Sequence, residues 1–228
     1  KPRDVIVVVA VGATFLLALF LELPGLNGPS YWQWPWRSLD FLHTLEVFAA
    51  PLVMLGFLGW QWSRTPPPSA AAARGIAFGL VACQALLQWA RLRAEPGGWT
   101  WLDALVQSRA VTSYYTDALR IDNLGSFLRD FSWKRLEHHS STHPPGPVLF
   151  YWALLQFLPP DLAARAGGAL IGALASFGVA VAYWFGSLWT DDPIRRLAAC
   201  FAYALMPSLV VVLPTFDQLY PILTMLCL

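Results

Sequence analysis

Apolar residues in this chain run in long blocks, and no other feature restricts its fold as much. Val5–Leu23 is 19 residues with a single acid, Glu22, near its end. Phe41–Trp60, Gly75–Trp89, Val148–Leu158, Ala166–Trp189, Leu197–Leu213 and Leu219–Leu228 follow. A helix needs about 20 mostly apolar residues to cross the hydrocarbon core, with a range near 17–25. Several blocks reach that length outright, and the shorter ones reach it with their flanks. Charged residues make up 13% of the chain, about half of the roughly 25% typical of soluble domains. The polar surface that a soluble bundle would need is missing. The sequence therefore predicts one all-α domain over 1–228, a polytopic transmembrane helical bundle of about seven spans. These lie near residues 5–23, 41–60, 75–92, 147–160, 166–189, 197–214 and 219–228, the last incomplete. Residues 93–146 form one long extracytoplasmic loop in this arrangement.

Charge and cysteine usage narrow the function. The net charge is +1, and the only paired basic residues are Lys134-Arg135 and Arg195-Arg196, so nothing marks a nucleic-acid surface. Cys83, Cys200 and Cys227 all fall inside apolar blocks, where they read as small buried hydrophobes. The chain has no CxxCH and no cysteine cluster, hence no haem or iron–sulfur signature, and no cofactor is predicted. No small-residue cleavage site follows Val5–Leu23, which separates it from a signal peptide. The chain starts at Lys1 and stops inside an apolar run at Leu228, which predicts a piece of a longer protein. Placing Lys1, Arg3, Arg64, Arg74 and Arg165 inside, against Arg37, Arg195 and Arg196 outside, puts the N-terminus in the cytoplasm. The expected location is the plasma (inner) membrane, in multi-pass form. Many of the 12 tryptophans stand at predicted span ends: Trp32, Trp34, Trp36, Trp60, Trp62, Trp99 and Trp101. That is where an aromatic belt belongs.

The polar residues collect in the long loop. Between Arg91 and Pro147 lie Glu95, Asp103, Asp117, Asp122, Asp130 and Glu137, together with His138, His139 and His143. Two pieces carry helical periodicity. "WLDALVQ" puts Leu102, Leu105 and Val106 on one face. "LGSFLRDFSW" spaces Leu124, Phe127, Leu128 and Phe131 at i, i+3, i+4 and i+7, the pattern of a helix lying in the interface plane. In "SSTHPPGPVLFYW" the prolines 144, 145 and 147 fix a helix start and pin His143 at its mouth. The three loop histidines match no firm ligand spacing, so no metal is predicted. His43 and Glu46 stand three apart in the second span and read as an interfacial hydrogen-bonded pair.

The run "SYYTDALRIDNLGSFLRDFSWKRLEHHSSTHPPGPVLFYWALLQFL", Ser113–Leu158, resembles the first outer loop of the C-type membrane glycosyltransferases. It is similar to the dolichyl-phosphate-mannose mannosyltransferase and aminoarabinose-transferase superfamily, family 39 in type. There an acidic motif and "YY.A..I" lead through an interfacial helix to "HPP" and the next span. Tyr114, Tyr115, Ala118 and Ile121 match that run, and His143-Pro144-Pro145 match its end. "ALMPSLVVVLPTFDQLYPILTML" resembles a later span, with Pro207 and Asp217 in the matching places. The family's acidic pair precedes the two tyrosines; here Val111, Thr112 and Ser113 stand there instead.

The resemblance implies transfer of a sugar from a polyprenyl-phosphate donor on the outer face. An acceptor hydroxyl needs a positioned carboxylate; Asp117, on the matching segment, is the first candidate and Asp103 the second. The leaving phosphate needs cationic or N–H donors, for which Arg120 is the first candidate, with Arg109, Lys134, Arg135 and His143 as others. Tyr114, Tyr115, His143 and Asp217 are the further candidates for substrate binding. The expected partners are membrane lipids and the polyprenyl-phosphate sugar donor. A second reading is a catalytically silent relative that serves as an accessory subunit of a larger membrane complex, such as a respiratory or photosynthetic electron-transfer assembly, with other membrane subunits as partners. A transporter would show inverted repeats, and the sequence has none that we can detect.

Overall fold

In a computed structural model the chain divides into two compact units, Lys1–Leu39 and Asp40–Leu228. The structure describes residues 14, 41–95, 97–131, 136–210 and 215–228. The predicted span at 5–23 therefore lies outside the described residues apart from Thr14, and so do the side chains of His43 and Glu46. Among the described residues every element is helical, which agrees with the all-α expectation. The helices are α1 (Phe41–Ser63), α2 (Ala70–Ala94), α3 (Trp99–Val106), α4 (Tyr114–Ala118), α5 (Leu124–Arg129) and α6 (His138–Ser141). They continue with α7 (Gly146–Leu155), α8 (Pro160–Gly186), α9 (Pro193–Ala204), α10 (Pro207–Val210), a 3-10 turn (Phe216–Gln218) and α11 (Tyr220–Cys227).

Two of these helices are long and apolar enough to cross a membrane by length and composition: α2, 25 residues, and α8, 27 residues. At 1.5 Å per residue each exceeds the hydrocarbon thickness of about 30 Å. Their ends are written in the sequence. Ser69 follows three prolines and caps α2 by accepting a hydrogen bond from the Ala72 N–H. Arg91 and Arg93 fall in its last turn, where cations suit the helix dipole. Pro160 occupies the first turn of α8, where its missing N–H costs nothing. Asp192 caps α9 through the Ile194 N–H at 2.9 Å.

The expected span at 147–160 takes a different form. It is α7, ten residues ending at Leu155, about 15 Å long and so about half of what a crossing requires. The pair Pro159-Pro160 explains the stop, because a residue before proline is pushed out of the helical region and Pro159 is extended, at ψ 153°. The expected span at 197–214 is likewise interrupted: α9 ends at Ala204, since Pro207 has no N–H to continue the ladder. The short interfacial helix expected from Leu124 is shorter than its periodicity suggests. It ends at Arg129 and is capped by the Asn123 side chain on the Ser126 N–H.

The long helix α8 serves two cores. Its C-terminal half supplies Ala175, Val179 and Ala182 to a cluster with Met54 of α1, Ala73 and Leu80 of α2, and Leu197 and Phe201 of α9. Its N-terminal half supplies Ala163, Ala164 and Ile171 to a second cluster with Val106, Tyr114, Tyr115, Val148 and Tyr151. Helices α2 and α8 run antiparallel, because Ala73 and Ala77 share the cluster of Val179 and Ala182 while Gln88 meets Gly172 near the other end. Close approach depends on missing side chains. A Cβ on Gly167 would clash with the Tyr151 ring, and one on Gly178 would clash with the Tyr203 hydroxyl. Of the cysteines only Cys200 is buried; Cys83 and Cys227 are exposed, contrary to the expectation for them.

Arg165 lies on the same side as the long loop. It donates to Asp103 from Nε at 3.2 Å and from Nη2 at 2.5 Å. The Tyr115 hydroxyl donates to the Pro160 carbonyl at 2.8 Å. The start of α8 and the loop helices α3 and α4 are therefore one layer. The expectation that residues 147–160 separate Arg165 from the loop gives way to this geometry.

Candidate functional site

Helix α4 organises the loop, and Ser113 sets its start. Ser113 is fully buried with φ 50°, a left-handed conformation that costs a non-glycine residue of order 1 kcal/mol. What holds it is the Ser113 hydroxyl, which accepts from the Ser140 N–H at 2.9 Å and lies 2.8 Å from the Ser140 hydroxyl. That contact docks α6 onto α4. It also brings Glu137, the residue before α6, against Asp117.

Asp117 is only 2% exposed, and a buried carboxylate needs partners. Its Oδ2 accepts from the Glu137 backbone N–H at 3.1 Å, and its Oδ1 accepts from Arg120 Nη1 at 3.2 Å. Arg120 Nη2 donates to Glu137 Oε1 at 2.8 Å, and Arg109 lies 3.9 Å from the same oxygen. Asp117 and Arg120 line a cavity of about 530 Å³ together with Asp122, Asn123, Ser126 and Asp130. The guanidinium of Arg120 is about half exposed, and with five donors in a fixed fork it retains capacity beyond the two carboxylates it spans. A ring of carboxylates, an amide and a hydroxyl around one arginine suits a ligand rich in hydroxyl groups that also carries one anionic group.

The other candidates fall in two further places. Tyr114, His143 and Asp217 come together in an aromatic cluster. The Tyr114 ring meets His139 at 5.2 Å, His143 at 5.7 Å and Phe216 at 5.9 Å, each edge-on. His139 and His143 stack at 4.7 Å, and His143 is parallel to Tyr220 at 6.4 Å. Burial, reinforced by Tyr220 and Asp217, pushes the Tyr114 phenol far above its ordinary value, so it stays protonated. The hydroxyls of Tyr114 and Tyr220 lie close enough that an interaction between them contributes to the shift of each. Desolvation and the neighbouring His143 lower the pKa of His139, while Asp217 acts against them. Tyr115 is a core residue, edge-on to Tyr151 at 5.7 Å, and burial raises its pKa as well.

Asp103 stands apart from Asp117, held by Arg165 on α8. Glu137 is the group that the sequence did not point to. It joins Asp117 from 20 residues away, and its only signal was a carboxylate within "KRLEHH". No group of three or more potential metal ligands gathers among the described residues. Comparison with protein-family models, with curated proteins and with solved structures gives no match to this chain.

Proposed function

We propose that this chain belongs to a multi-pass membrane glycosyltransferase that uses a polyprenyl-phosphate-linked sugar on the outer face. The reading rests on one observation: Asp117, buried in protein, lines a cavity of about 530 Å³ beside a half-exposed arginine. The resemblance of Ser113–Leu158 to C-type transferases supplies the reaction. The acceptor oxygen attacks the anomeric carbon and the carbon–oxygen bond to phosphate breaks. The acceptor proton passes to the Asp117 carboxylate, and polyprenyl phosphate leaves with the electron pair. Asp122, Asn123, Ser126 and Asp130 bind sugar hydroxyls. With three carboxylates on the wall, the leaving phosphate belongs on the Arg120 and Arg109 side, where its charge is met.

The same reading gives the topology. Arg64 and Arg74 flank the α1–α2 turn, and Arg195 and Arg196 start α9. Antiparallel packing of α2 on α8 gathers all four at the end opposite to α3–α7. On this reading the four arginines beside two short connections favour that end as the cytoplasmic one, with the cavity outside. This moves Arg195 and Arg196 across from where the hydropathy pattern alone puts them.

Asp117→Asn keeps an oxygen acceptor for the Glu137 N–H while removing the base. In the purified protein, with a polyprenyl-phosphate sugar and an acceptor, it should lower kcat by about 100-fold or more at a temperature where the variant remains folded, although loss of the Arg120 pair lowers its Tm. An unchanged rate would remove Asp117 from the chemistry. Stoichiometric co-migration of an inactive wild-type protein with redox subunits after mild detergent extraction would instead support the accessory-subunit reading.

A further inference from the structure

A second cavity, of about 180 Å³, opens between α2, α3 and α8. Its walls are apolar: Trp89 and Leu92 of α2, Trp99 of α3, and the small residues Gly168, Ala169 and Gly172 of α8. One polar side chain enters it. Gln88 lines the cavity and is only 6% exposed, and its Nε2 has no hydrogen-bond partner among the described residues. A glycine at 172 leaves room for it, since a Cβ there would stand 2.6 Å from Gln88 Oε1. A buried amide donor without an acceptor is destabilising, and an oxygen of a bound molecule would remove that cost.

The depth of that donor identifies the molecule. Gln88 is six residues from the end of α2, about 9 Å along the axis, which puts it near the boundary of headgroup and hydrocarbon. Above it, exposed Arg93 lies over the Trp89 ring at 4.8 Å, at headgroup level. The acyl-ester carbonyls of a glycerophospholipid lie at that boundary, with phosphate above and chain below. A polyprenyl phosphate has phosphate oxygens only, at the level of Arg93, and nothing but hydrocarbon at the level of Gln88.

We propose that this cavity binds one bilayer phospholipid: an ester carbonyl accepts from Gln88 Nε2, the acyl chain lies along Gly168, Ala169 and Gly172, and the phosphate sits beside Arg93. This rests on the membrane-embedded reading above and not on sugar transfer. The site is separate from the Asp117 cavity and shares no lining residue with it.

The test uses the full-length protein in detergent, with native mass spectrometry after adding dioleoyl phosphatidylglycerol or its diether analogue, which lacks the carbonyls. Wild type should retain the ester lipid about five-fold better, as expected for one neutral hydrogen bond. Gln88→Leu, similar in size, should abolish that preference, and Ala169→Phe should lower retention of both lipids by filling the groove. Equal retention of ester and ether by wild type overturns the proposal, as does a preference that survives in Gln88→Leu or full retention in Ala169→Phe. Release of the wild-type protein from membranes by alkaline carbonate would instead overturn the membrane reading itself, so the two failures are distinguishable.

Discussion

Ser113 shows how much one residue can decide here. Its left-handed backbone turns the chain into α4, and its hydroxyl clasps Ser140 across 27 residues. The two roles can be separated by substitution. Ser113→Ala loses the hydroxyl and keeps the backbone strain, whereas Ser113→Gly loses the hydroxyl and relieves the strain. Both should lower stability, with alanine worse than glycine by about 1 kcal/mol in thermal unfolding. Equal losses would mean that Ser113 carries no left-handed strain. The same scale separates what is local in the sequence from what is not. Asp117 in α4 and Arg120, in the turn that ends it, are three apart, so their pairing follows from spacing alone. The meeting of Glu137 with Asp117 does not, because it depends on the Ser113–Ser140 clasp, which no spacing encodes. Asp103 was a reasonable second carboxylate by composition, but α3 turns it toward Arg165.

Between elements, small residues set the distances. In lipid the hydrophobic effect does not drive helices together, and close van der Waals packing replaces it. Gly178 on α8 meets the Tyr203 hydroxyl of α9 and Ile222 of α11. Gly178→Ala should destabilise the protein by about 1–3 kcal/mol through overpacking. The Tyr203 hydroxyl is buried without a partner among the described residues, so Tyr203→Phe alone should be neutral or slightly stabilising. The double variant should recover part of the loss, because the hydroxyl clash disappears while Ile222 Cγ1 and Tyr203 Cζ still stand 2.8 Å from the new Cβ. Non-additivity in Tm measures this directly, and strict additivity would contradict the packing.

The docking of α6 carries a pH dependence. His139, facing His138, His143, Asp217 and the Tyr114 ring, has a folded pKa below its ordinary 6.5. The unfolded chain then binds more protons between the two values, so stability rises with pH across that window. The contribution is complete above about 6.5 and is lost as pH falls through 6.5 toward the folded pKa. Wild type should melt at a lower temperature at pH 5.5 than at pH 7.5. His139→Phe, which keeps a ring against Tyr114 and His143, should flatten that difference. These histidines were visible in the sequence as a cluster, but their stacking against α4 was not, since it follows from where α6 docks.

At the scale of the whole molecule, the hydropathy pattern located the long helices well and misjudged what lies between them. It placed α2 and α8 to within about six residues at each end, because long apolar runs between prolines and charges leave few other outcomes. At 147–160 composition is as apolar as a span, but the helix there is ten residues long and Pro159-Pro160 follow it. Hydropathy counts residues, and crossing requires unbroken length. On the membrane reading proposed above, a helix this short would not cross, and everything after α7 would exchange sides. Single cysteines in a background free of Cys83, Cys200 and Cys227 decide the matter with a membrane-impermeant maleimide. Ala110→Cys and Asp161→Cys should both label in intact cells if α3–α7 and the start of α8, which form one layer, lie outside as proposed. Asp191→Cys, in the α8–α9 turn, should label only after permeabilisation. Were 147–160 a true crossing, Asp161 would be protected and Asp191 exposed. Either pattern also fixes which side Arg195 and Arg196 occupy, and with them the orientation of the Asp117 cavity.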